Sequence, residues 1–280
     1  MVRRTAEMSE LAESWRRAGA TVGLVPTMGA LHQGHLSLVR QARRESTRVV
    51  VSIFVNPTQF APHEDLAKYP RTFEQDLELL KPLQIDAVFA PEPEEIYPAG
   101  FSTFIEPADV SKPWEGAIRP GHFRGVTTVV MKLLLVSRAT STYFGQKDFQ
   151  QTVVIRRMID ELNVPCQMSV LPTVRETDGL AMSSRNRYLS PANRQTAGAL
   201  YRVLTEAQQA IAGGERDGHA LSASMNQGLI DAGFDKVDYA AVCEPTGLTL
   251  NDPIKFPVVL LAAARISGTR LIDNVYIEGP

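Results

Sequence analysis

The sequence predicts an α/β protein with a parallel sheet in a larger N-terminal domain and a smaller α+β domain after it. Two observations lead to this prediction. Short apolar segments rich in β-branched residues alternate with helix-like patterns along residues 1–173, which is typical of parallel sheets with crossover helices. Helical patterns then precede three strand candidates within residues 174–280, and this grouping indicates a separate α+β unit.

The first domain contains strongly patterned elements. The strand Arg48–Val55 is almost continuously apolar, as expected of a parallel strand covered on both faces. Gly19 ends the first helix, and Thr72 is a plausible cap of the third. The predicted strands are Thr21–Pro26, Arg48–Val55, Ala87–Ala90, Phe101–Ile105, Thr142–Phe144 and Cys166–Leu171. The predicted helices are Glu7–Ala18, His35–Arg44, Thr72–Leu83, Val126–Val136 and Thr152–Leu162. The Val-rich composition of the helix Val126–Val136 predicts that it is buried, and a second subunit is one surface that could bury it.

The second domain begins near Val174. Pro191 starts a long helix that runs to Ala212 and is ended by two glycines. A further helix is predicted over His219–Ala232, and the three predicted strands are Lys236–Val242, Pro257–Ala264 and Leu271–Ile277. We expect this domain to form the wall of a lid and to carry the loop Ser183-Ser184-Arg185.

Composition bounds the function classes. The 280-residue chain has a net charge of −2, from 29 basic and 31 acidic residues, whereas a nucleic-acid binder would usually be more basic. The longest apolar runs, such as residues 256–264, are too short to span a bilayer, and Arg3 and Arg4 are not followed by the apolar core of a signal peptide. Cys166 and Cys243 are the only cysteines. They predict no disulfide framework or Cys-based zinc site, and they fit a reducing cytoplasm.

The segment Val25–Leu36 is expected to be a strand, a tight turn and a helix N-terminus. With a helix beginning near Leu31 or His32, the rings of His32 and His35 lie on one face beside N–H groups without intrahelical partners. Gly29 and Gly34 leave no side chain between the backbone and a ligand. The segment therefore predicts an anion site suited to phosphates.

A histidine that stands alone is usually a surface or satisfied residue, and this is our interpretation of His63 and His219. The pair His32 and His35 differs because it lies at a strand-to-helix junction, where ligands bind in open α/β sheets. The His-x-Gly-His pattern resembles the signature shared by nucleotidylyltransferases and class I aminoacyl-tRNA synthetases, which transfer at the α-phosphate of a nucleotide.

Polar residues follow the second strand at Asn56-Pro57-Thr58-Gln59. Because ligands bind outside the carboxyl ends of parallel strands, Asn56 and Gln59 are expected beside the two histidines. Their amides can pair with hydroxyl and carboxylate groups of a small polar substrate. The alternative is that Asn56-Pro57 is only a turn.

The strand-turn-helix pattern recurs at residues 142–162, where Lys147 and Asp148 follow the strand. Lys147 can place a compact charge on phosphate oxygens, and Asp148 can cap the helix. Gln151 lies on the same side as Asp148 and could reach the substrate that Gln59 contacts. The alternative is a solvated surface pair of charges.

A loop rich in small and hydroxyl residues spans 178–187 and contains Met182-Ser183-Ser184-Arg185. Serine hydroxyls, amides and a guanidinium can wrap phosphates, whereas the alternative is a lead-in to the next helix. The phosphate-binding interpretation is favoured because synthetases with the histidine signature carry a similar loop that closes on the same triphosphate.

Together these motifs resemble those of the pantothenate synthetases over nearly the whole chain. The resemblance is carried by Pro26–Leu36, Val51–Phe60, Tyr69–Thr72, Pro120–Phe123, Lys147-Asp148 with Gln151, and Met182–Asn186. It implies a Rossmann-like, nucleotidylyltransferase-type parallel-sheet domain in a cytoplasmic homodimer. It also implies the condensation of (R)-pantoate with β-alanine to pantothenate, with ATP as substrate, AMP and diphosphate as products, and Mg²⁺.

The resemblance also assigns site residues. His35 corresponds to the proton donor, and we expect His32, Lys147 and Arg185 to complete the catalytic set. Gln59 and Gln151 would bind pantoate, and Gln59 would also lie near β-alanine. The implied ATP-binding residues are Met28, Gly29, Ala30, Leu31, His32, Gln33, Gly34, His35, Gly145, Gln146, Lys147, Asp148, Val174, Met182, Ser183, Ser184 and Arg185.

Two positions depart from the family pattern. Gln146 stands where many relatives carry a charged residue. Gln75 stands where some relatives place an acidic residue near the metal. This leaves Asp76, or water and phosphate oxygens, to hold Mg²⁺.

The chemistry of these residues is coherent. A carboxylate and the α-phosphate of ATP repel each other, so cationic groups and Mg²⁺ are needed while an acyl adenylate forms. No nucleophilic Ser or Cys dyad is evident in the sequence, so the amine of β-alanine should attack the adenylate directly. The alternatives are a nucleotidylyltransferase acting on another small substrate, with a stable nucleotide adduct as product, and a nucleotide-binding module without turnover.

Overall fold

The computed structural model describes residues 1–62 and 64–279, so the prediction for His63 lies outside the described residues. The chain forms two compact units, Met1–Gly145 with Val154–Pro172, and Gln146–Val153 with Thr173–Pro280. The predicted boundary lay at residue 173. The difference is the segment Gln146–Val153, which the sequence assigned to the first domain and which groups with the second unit.

The first unit is built on a five-stranded parallel sheet with the order β3-β2-β1-β4-β5. Its strands are β1 Val22–Thr27, β2 Arg48–Ile53, β3 Ala87–Phe89, β4 Ser141–Gly145 and β5 Gln167–Leu171. The interior of β2 is buried, which confirms the prediction from its apolar run. Because β1 pairs in parallel with both β2 and β4, the carboxyl ends of these three strands lie at one edge of the sheet.

The helices of this part of the chain are α1 Thr5–Arg17, α2 Gln33–Glu45, α3 Phe73–Leu80, α4 Pro93–Ile96, α5 Glu115–Ile118, α6 His122–Ser137 and α7 Phe149–Glu161. The first five residues of α7 group with the second unit. The Val-rich helix α6 is buried over most of its length within its own unit, and its valines belong to the core with residues of α1 and β1. Core packing therefore explains its composition without a second subunit.

The predicted strand Phe101–Ile105 is wrong, because this segment forms no strand. The backbone of Ile105 instead bonds to hydroxyl groups of α6: its N–H donates to Thr128 Oγ1 at 3.0 Å, and its carbonyl accepts from Thr127 Oγ1 at 2.8 Å. Side-chain partners thus replace a neighbouring strand.

The second unit has helices α8 Pro191–Ala197, α9 Ala199–Ala212 and α10 Gly218–Asp231. They precede an antiparallel sheet of β6 Lys236–Cys243, β7 Val258–Ile266 and β8 Thr269–Ile277 in the order β6-β7-β8. The α+β prediction is confirmed. The single helix predicted from Pro191 to Ala212 is interrupted at Gly198, which has low helix propensity. Along residues 1–62 and 64–279, no helix combines the length and apolar character needed to cross a membrane.

Candidate active site

The two histidines of the turn after β1 stand close together. The helix α2 begins at Gln33, with His32 as its N-cap in extended conformation. His35 is therefore in the first turn, and the ring centroids of His32 and His35 lie 4.1 Å apart. The first turn of a helix directs N–H groups outward and carries the positive end of the helix dipole. The geometry thus supports the anion site expected from the sequence.

The backbone of this turn has an unusual conformation that a buried carboxylate holds. Gly29 and Ala30 both have positive φ, of 79° and 49°. Asp76, on α3, accepts from the Ala30 N–H at 2.9 Å through Oδ2 and from the Leu31 N–H at 2.8 Å through Oδ1. Asp76 is 1% exposed. An acid distant in sequence therefore fixes the turn that carries the histidines.

The same contacts bear on the metal expected from the sequence. Among residues 1–62 and 64–279, no group of three or more His, Cys, Asp or Glu side chains could hold a metal ion. Both oxygens of Asp76 already accept backbone N–H groups, and the side chain is buried. This donor set does not fit a protein-made Mg²⁺ site, since Mg²⁺ demands nearly ideal octahedral oxygen coordination.

Asn56 and Gln59 lie beside the histidine turn. Gln59 Nε2 is 3.2 Å from Met28 Sδ, and its Oε1 accepts from Asn56 Nδ2 at 3.0 Å. Asn56 is 1% exposed. Its Oδ1 accepts from Thr58 Oγ1 at 2.9 Å and from the Tyr97 hydroxyl at 2.8 Å. Asn56 does form a turn, as the alternative interpretation expected, and that turn also orients the Gln59 amide.

The backbone before Gln59 passes very close to α6. A Cβ added at Gly125 would lie 2.5 Å from the Thr58 carbonyl oxygen and 2.7 Å from the Gln59 nitrogen. Real Cβ atoms essentially never approach backbone so closely. Glycine at 125 is therefore required for the position of the Gln59 loop.

A charged network holds the other side of Gln59. Arg119 pairs with Glu64 through Nε at 2.6 Å and Nη2 at 2.8 Å, and its Nη1 lies 3.1 Å from His122 Nε2. A guanidinium only donates hydrogen bonds, so Nε2 is the acceptor. Nδ1 of His122 then donates to the Gln59 carbonyl at 2.9 Å. Arg119 and His122 also line a cavity of about 300 Å³ with Gln59.

His122 is neutral in this arrangement. Burial, together with the positive charge of Arg119, lowers the pKa of His122 to about 4, although Glu115 and Glu64 partly oppose the shift. A neutral ring with one donor and one acceptor matches its two partners.

The pKa of His122 gives a stability prediction. Because the unfolded chain binds the proton near pH 6.5 and the folded chain only near pH 4, stability falls as the pH drops through this window. Between pH 7 and 5 this group alone should cost about 2 kcal/mol. Urea unfolding at both pH values should show that extra loss in the unmodified chain and not in His122→Asn, which keeps a donor near the Nδ1 position. Equal losses would contradict a neutral His122.

In the second unit, the segment after β4 is fixed by β8. Asn274, which is 2% exposed, donates from Nδ2 to the carbonyls of Gln146 and Lys147 at 2.9 Å each. Gln146 Nε2 returns a bond to Asn274 Oδ1 at 3.2 Å. The Lys147 amino group lies 3.4 Å from Asp148 Oδ1, with its side chain only 20% exposed. The Asp148 side chain is 46% exposed, so the alternative of a solvated pair describes Asp148 and only in part Lys147.

The loop before α8 folds back on itself. The Met182 N–H donates to the Val174 carbonyl at 3.0 Å, so these two predicted ATP-binding residues are adjacent. Arg175, the next residue along, makes bonds of 2.6 and 3.0 Å to the two oxygens of Asp273. Burial raises the pKa of Asp273, with the Arg175 charge opposing it.

Ser183 caps a short helical turn over Ser184–Tyr188, and its Oγ accepts from the Arg185 N–H at 3.3 Å. Asn186 Nδ2 donates to Glu176 at 2.9 Å, which anchors the turn to the preceding loop. Met182–Asn186 thus leads into the helical region, as the alternative interpretation expected. Within this segment Ser184 is buried, with 7% of its surface exposed.

The structure brings the predicted residues into two sets. The first unit gathers Met28, Gly29, Ala30, Leu31, His32, Gln33, Gly34, His35, Gln59 and Asp76, with Gly145 at the end of β4. The second unit holds Gln146, Lys147, Asp148, Gln151, Val174, Met182, Ser183, Ser184 and Arg185, with Gln151 in the first turn of α7. Four further residues support these side chains and were not predicted in that role from the sequence: Arg119, His122, Gly125 and Asn274.

A family model described as pantoate-beta-alanine ligase matches residues 1–276. The pantothenate synthetase of Roseiflexus sp. (strain RS-1) is 51% identical over 272 residues, covering 97% of this chain and 98% of that protein. That of Cereibacter sphaeroides (strain ATCC 17029 / ATH 2.4.9) is 50% identical over 275 residues, with 98% of each covered.

Solved structures agree with these sequence matches. The crystal structure of pantothenate synthetase from Thermus thermophilus superposes with a TM-score of 0.91 at 43% identity, covering 99% of both chains. The pantoate-beta-alanine ligase of Francisella tularensis, complexed with beta-gamma ATP and beta-alanine, gives a TM-score of 0.83 at 33% identity, covering 99% of this chain and 97% of that one.

Proposed function

The chain belongs to the pantoate–β-alanine ligase family and ligates pantoate to β-alanine; we propose that it does so through a pantoyl adenylate made from (R)-pantoate and ATP. The observation that carries this proposal is the histidine pair at the N-terminus of α2, with the Gln59 amide beside the same turn. The histidine pair at the helix N-terminus suits a polyphosphate, and the Gln59 amide suits a small hydroxy acid. The beta-gamma ATP and beta-alanine in the complex of the Francisella tularensis relative support the choice of ligands.

In the first half-reaction, the pantoate carboxylate attacks the α-phosphorus of ATP, and the bond to pyrophosphate breaks. Gln59 and Gln151 hold pantoate, and Gln59 also contacts β-alanine later. His35 donates a proton or hydrogen bond to the leaving phosphate oxygens. His32, Lys147 and Arg185 offset the developing negative charge. The nucleotide is bound by four segments of the chain: Met28–His35, Gly145–Asp148, Val174 and Met182–Arg185.

In the second half-reaction, the β-alanine amine attacks the acyl carbon of the adenylate and AMP leaves with its electron pair. No covalent intermediate with a thiol is needed. Cys166 and Cys243 are buried, and burial raises the pKa of each to about 12, so neither supplies a thiolate near neutral pH. The adenylate must be shielded from water until the amine arrives, and we propose that the Ser183–Arg185 loop gives that shielding.

We also propose Mg²⁺ as a partner of the nucleotide. The described residues offer no protein cage for it, so phosphate oxygens and water would hold the ion, which suits its preference for retaining waters. The ion supplies charge neutralisation to the triphosphate when it is bound.

The proposed setting is a homodimer in the cytoplasm. The dimer rests on the family resemblance, and the location rests on the two unpaired cysteines, which suit a reducing compartment. Light scattering should give twice the chain mass of 30.8 kDa. A mass of one chain at micromolar concentration would exclude the dimer.

The adenylate route is tested by measuring pyrophosphate release with ATP and pantoate, with and without β-alanine. Without the amine, we expect an amount of pyrophosphate equal to the amount of enzyme to be released. When β-alanine is added, release should become continuous. Oxygen transfer from labelled pantoate carboxylate to AMP should accompany turnover. Pyrophosphate release that needs β-alanine in the first turnover would contradict a separate adenylation step.

Arg185→Ala should separate the two half-reactions. Because Arg185 is proposed to bind phosphates that leave as pyrophosphate, the variant should slow adenylation by about 10²-fold, the usual cost of losing one charge-stabilising donor. Attack by β-alanine on synthetic pantoyl adenylate should change by less than about tenfold, since that step has lost its pyrophosphate. The neighbouring exposed Arg187→Ala is the matched control. Equal losses in both half-reactions would assign Arg185 to the adenylate itself.

A further inference from the structure

Asp76 is the one predicted site residue whose contacts point to a role different from the one expected. It lies in the first turn of α3, where its own N–H donates to the Thr72 carbonyl at 2.9 Å. Its carboxylate faces the loop after β1, which is distant in sequence, and accepts there from the main-chain N–H groups of Ala30 and Leu31. Thr72 Oγ1 adds a third hydrogen bond, to Oδ1, at 3.2 Å.

The turn needs such support because its backbone is intrinsically unfavourable. Ala30 has a φ of 49°, in the left-handed region where a residue with a Cβ is strained. Two successive N–H groups in this conformation point toward one acceptor, and a carboxylate has two oxygens to receive them. Asp76 thus supplies the partner that this conformation requires.

Gly29 shows how closely the two segments fit. A Cβ added at Gly29 would lie 3.1 Å from Asp76 Oδ2 and 3.1 Å from Ile53 Cγ2. The carboxylate therefore packs against the turn as well as bonding to it. A Mg²⁺ ion at Asp76 would have to share the carboxylate oxygens that already accept these N–H groups. The Asp76 side chain is also only 1% exposed, which leaves little room for the water molecules that Mg²⁺ retains.

We propose that Asp76 is a positioning residue, whose carboxylate holds residues 29–31 in the left-handed turn that sets His32 and His35 side by side, and that it is not a ligand of Mg²⁺. This inference rests on the proposed role of the histidines in adenylation. Its physical basis is preorganisation, because donors held in place before the reaction need no rearrangement as charge develops.

The test compares Asp76→Asn with Glu78→Gln, which removes an exposed carboxylate from the same helix. Asn keeps the size of the side chain but offers one acceptor to two N–H groups. Amide hydrogen exchange at Ala30 and Leu31 should accelerate at least tenfold in Asp76→Asn and stay unchanged in Glu78→Gln. The kcat for pyrophosphate release should fall about tenfold or more in Asp76→Asn, with the KM for β-alanine unchanged.

The magnesium dependence decides between positioning and metal binding. At fixed ATP, the Mg²⁺ concentration for half-maximal pyrophosphate release should be the same in Asp76→Asn and in the unmodified chain. A severalfold rise in that concentration, with exchange at Ala30 and Leu31 unchanged, would overturn the proposal in favour of a metal ligand. Where Asp76→Asn fails to fold, Thr72→Val removes one bond to the carboxylate and should give smaller changes in the same direction.

A failure of the positioning role of Asp76 can be distinguished from a failure of the proposed function of the histidines. Hydrogen exchange reports the turn without any turnover. If His35→Ala is inactive while Asp76→Asn shows faster exchange with normal pyrophosphate release, the positioning role alone is wrong. If His35→Ala keeps full adenylation, the proposed function of the histidine turn is wrong, whatever Asp76→Asn does.

Discussion

His35→Ala is expected to lower the rate of pyrophosphate release by about 10²-fold or more, since removal of one preorganised donor to developing charge costs that much. His35 lies in the first turn of α2 with its ring 4.1 Å from that of His32. A polyphosphate bound at the N-terminus of this helix would lie close enough to contact both rings. His32→Ala should therefore cause a comparable loss. Single-turnover release of pyrophosphate from ATP and pantoate is the measurement.

The matched control is His219→Ala. His219 lies on the surface with 68% of its side chain exposed, as its interpretation from the sequence expected. This variant should release pyrophosphate at the rate of the unmodified chain. Thermal unfolding of all three variants should be similar, because the two rings of the turn are only half-buried. A near-normal rate in His35→Ala would remove His35 from the catalytic set.

Gly125→Ala is expected to reduce kcat/KM for pantoate by about 10²-fold, although residue 125 contributes no side chain to the site. The added methyl would meet the Thr58 carbonyl at 2.5 Å and the Gln59 nitrogen at 2.7 Å, so the Gln59 loop must shift. Displacement of a substrate-positioning group by about 1 Å is enough for such a loss. Overpacking should also destabilise the fold by about 1–3 kcal/mol. Isothermal titration should show weaker pantoate binding with ATP binding retained.

Gly228→Ala provides the comparison, since this glycine is also helical and its added Cβ would meet only Val203 methyl groups at 3.3 Å or more. It should leave pantoate kinetics unchanged. Gln59→Ala gives the size of the effect when the amide itself is removed. If Gly125→Ala left pantoate binding intact while Gln59→Ala abolished it, the loop would have accommodated the methyl without moving Gln59.

Local patterns in the sequence were sufficient for the main features of the fold. The β-branched run of β2 and the strand-turn-helix pattern around His32 each contain their own structural signal, so the parallel sheet and the histidine pair were predictable. The same local reasoning produced a false strand at Phe101–Ile105, because hydroxyl groups of α6 took the backbone partners that a strand would have used. It also merged α8 with α9 across Gly198.

The supports of the site were not predictable in this way. Asp76 meets Ala30, His122 meets Gln59, and Asn274 meets Lys147 only because the fold brings distant segments together. Each acts on backbone groups, and backbone groups carry no sequence signature. A single sequence therefore indicates which side chains bear the chemistry more readily than which ones hold them.

The buried cysteines make the chain convenient for site-specific labelling. With the pKa of both thiols raised to about 12, maleimides and iodoacetamides should react with neither at neutral pH while the protein is folded. A cysteine introduced at the exposed Arg187 would then be the sole target for a fluorophore, with no need to replace the native residues first. Emission from a dye at this position would test in real time whether nucleotide orders the neighbouring loop, as we propose. Labelling of the unmodified chain would in turn report unfolding, since only loss of the core exposes Cys166 and Cys243 to the reagent.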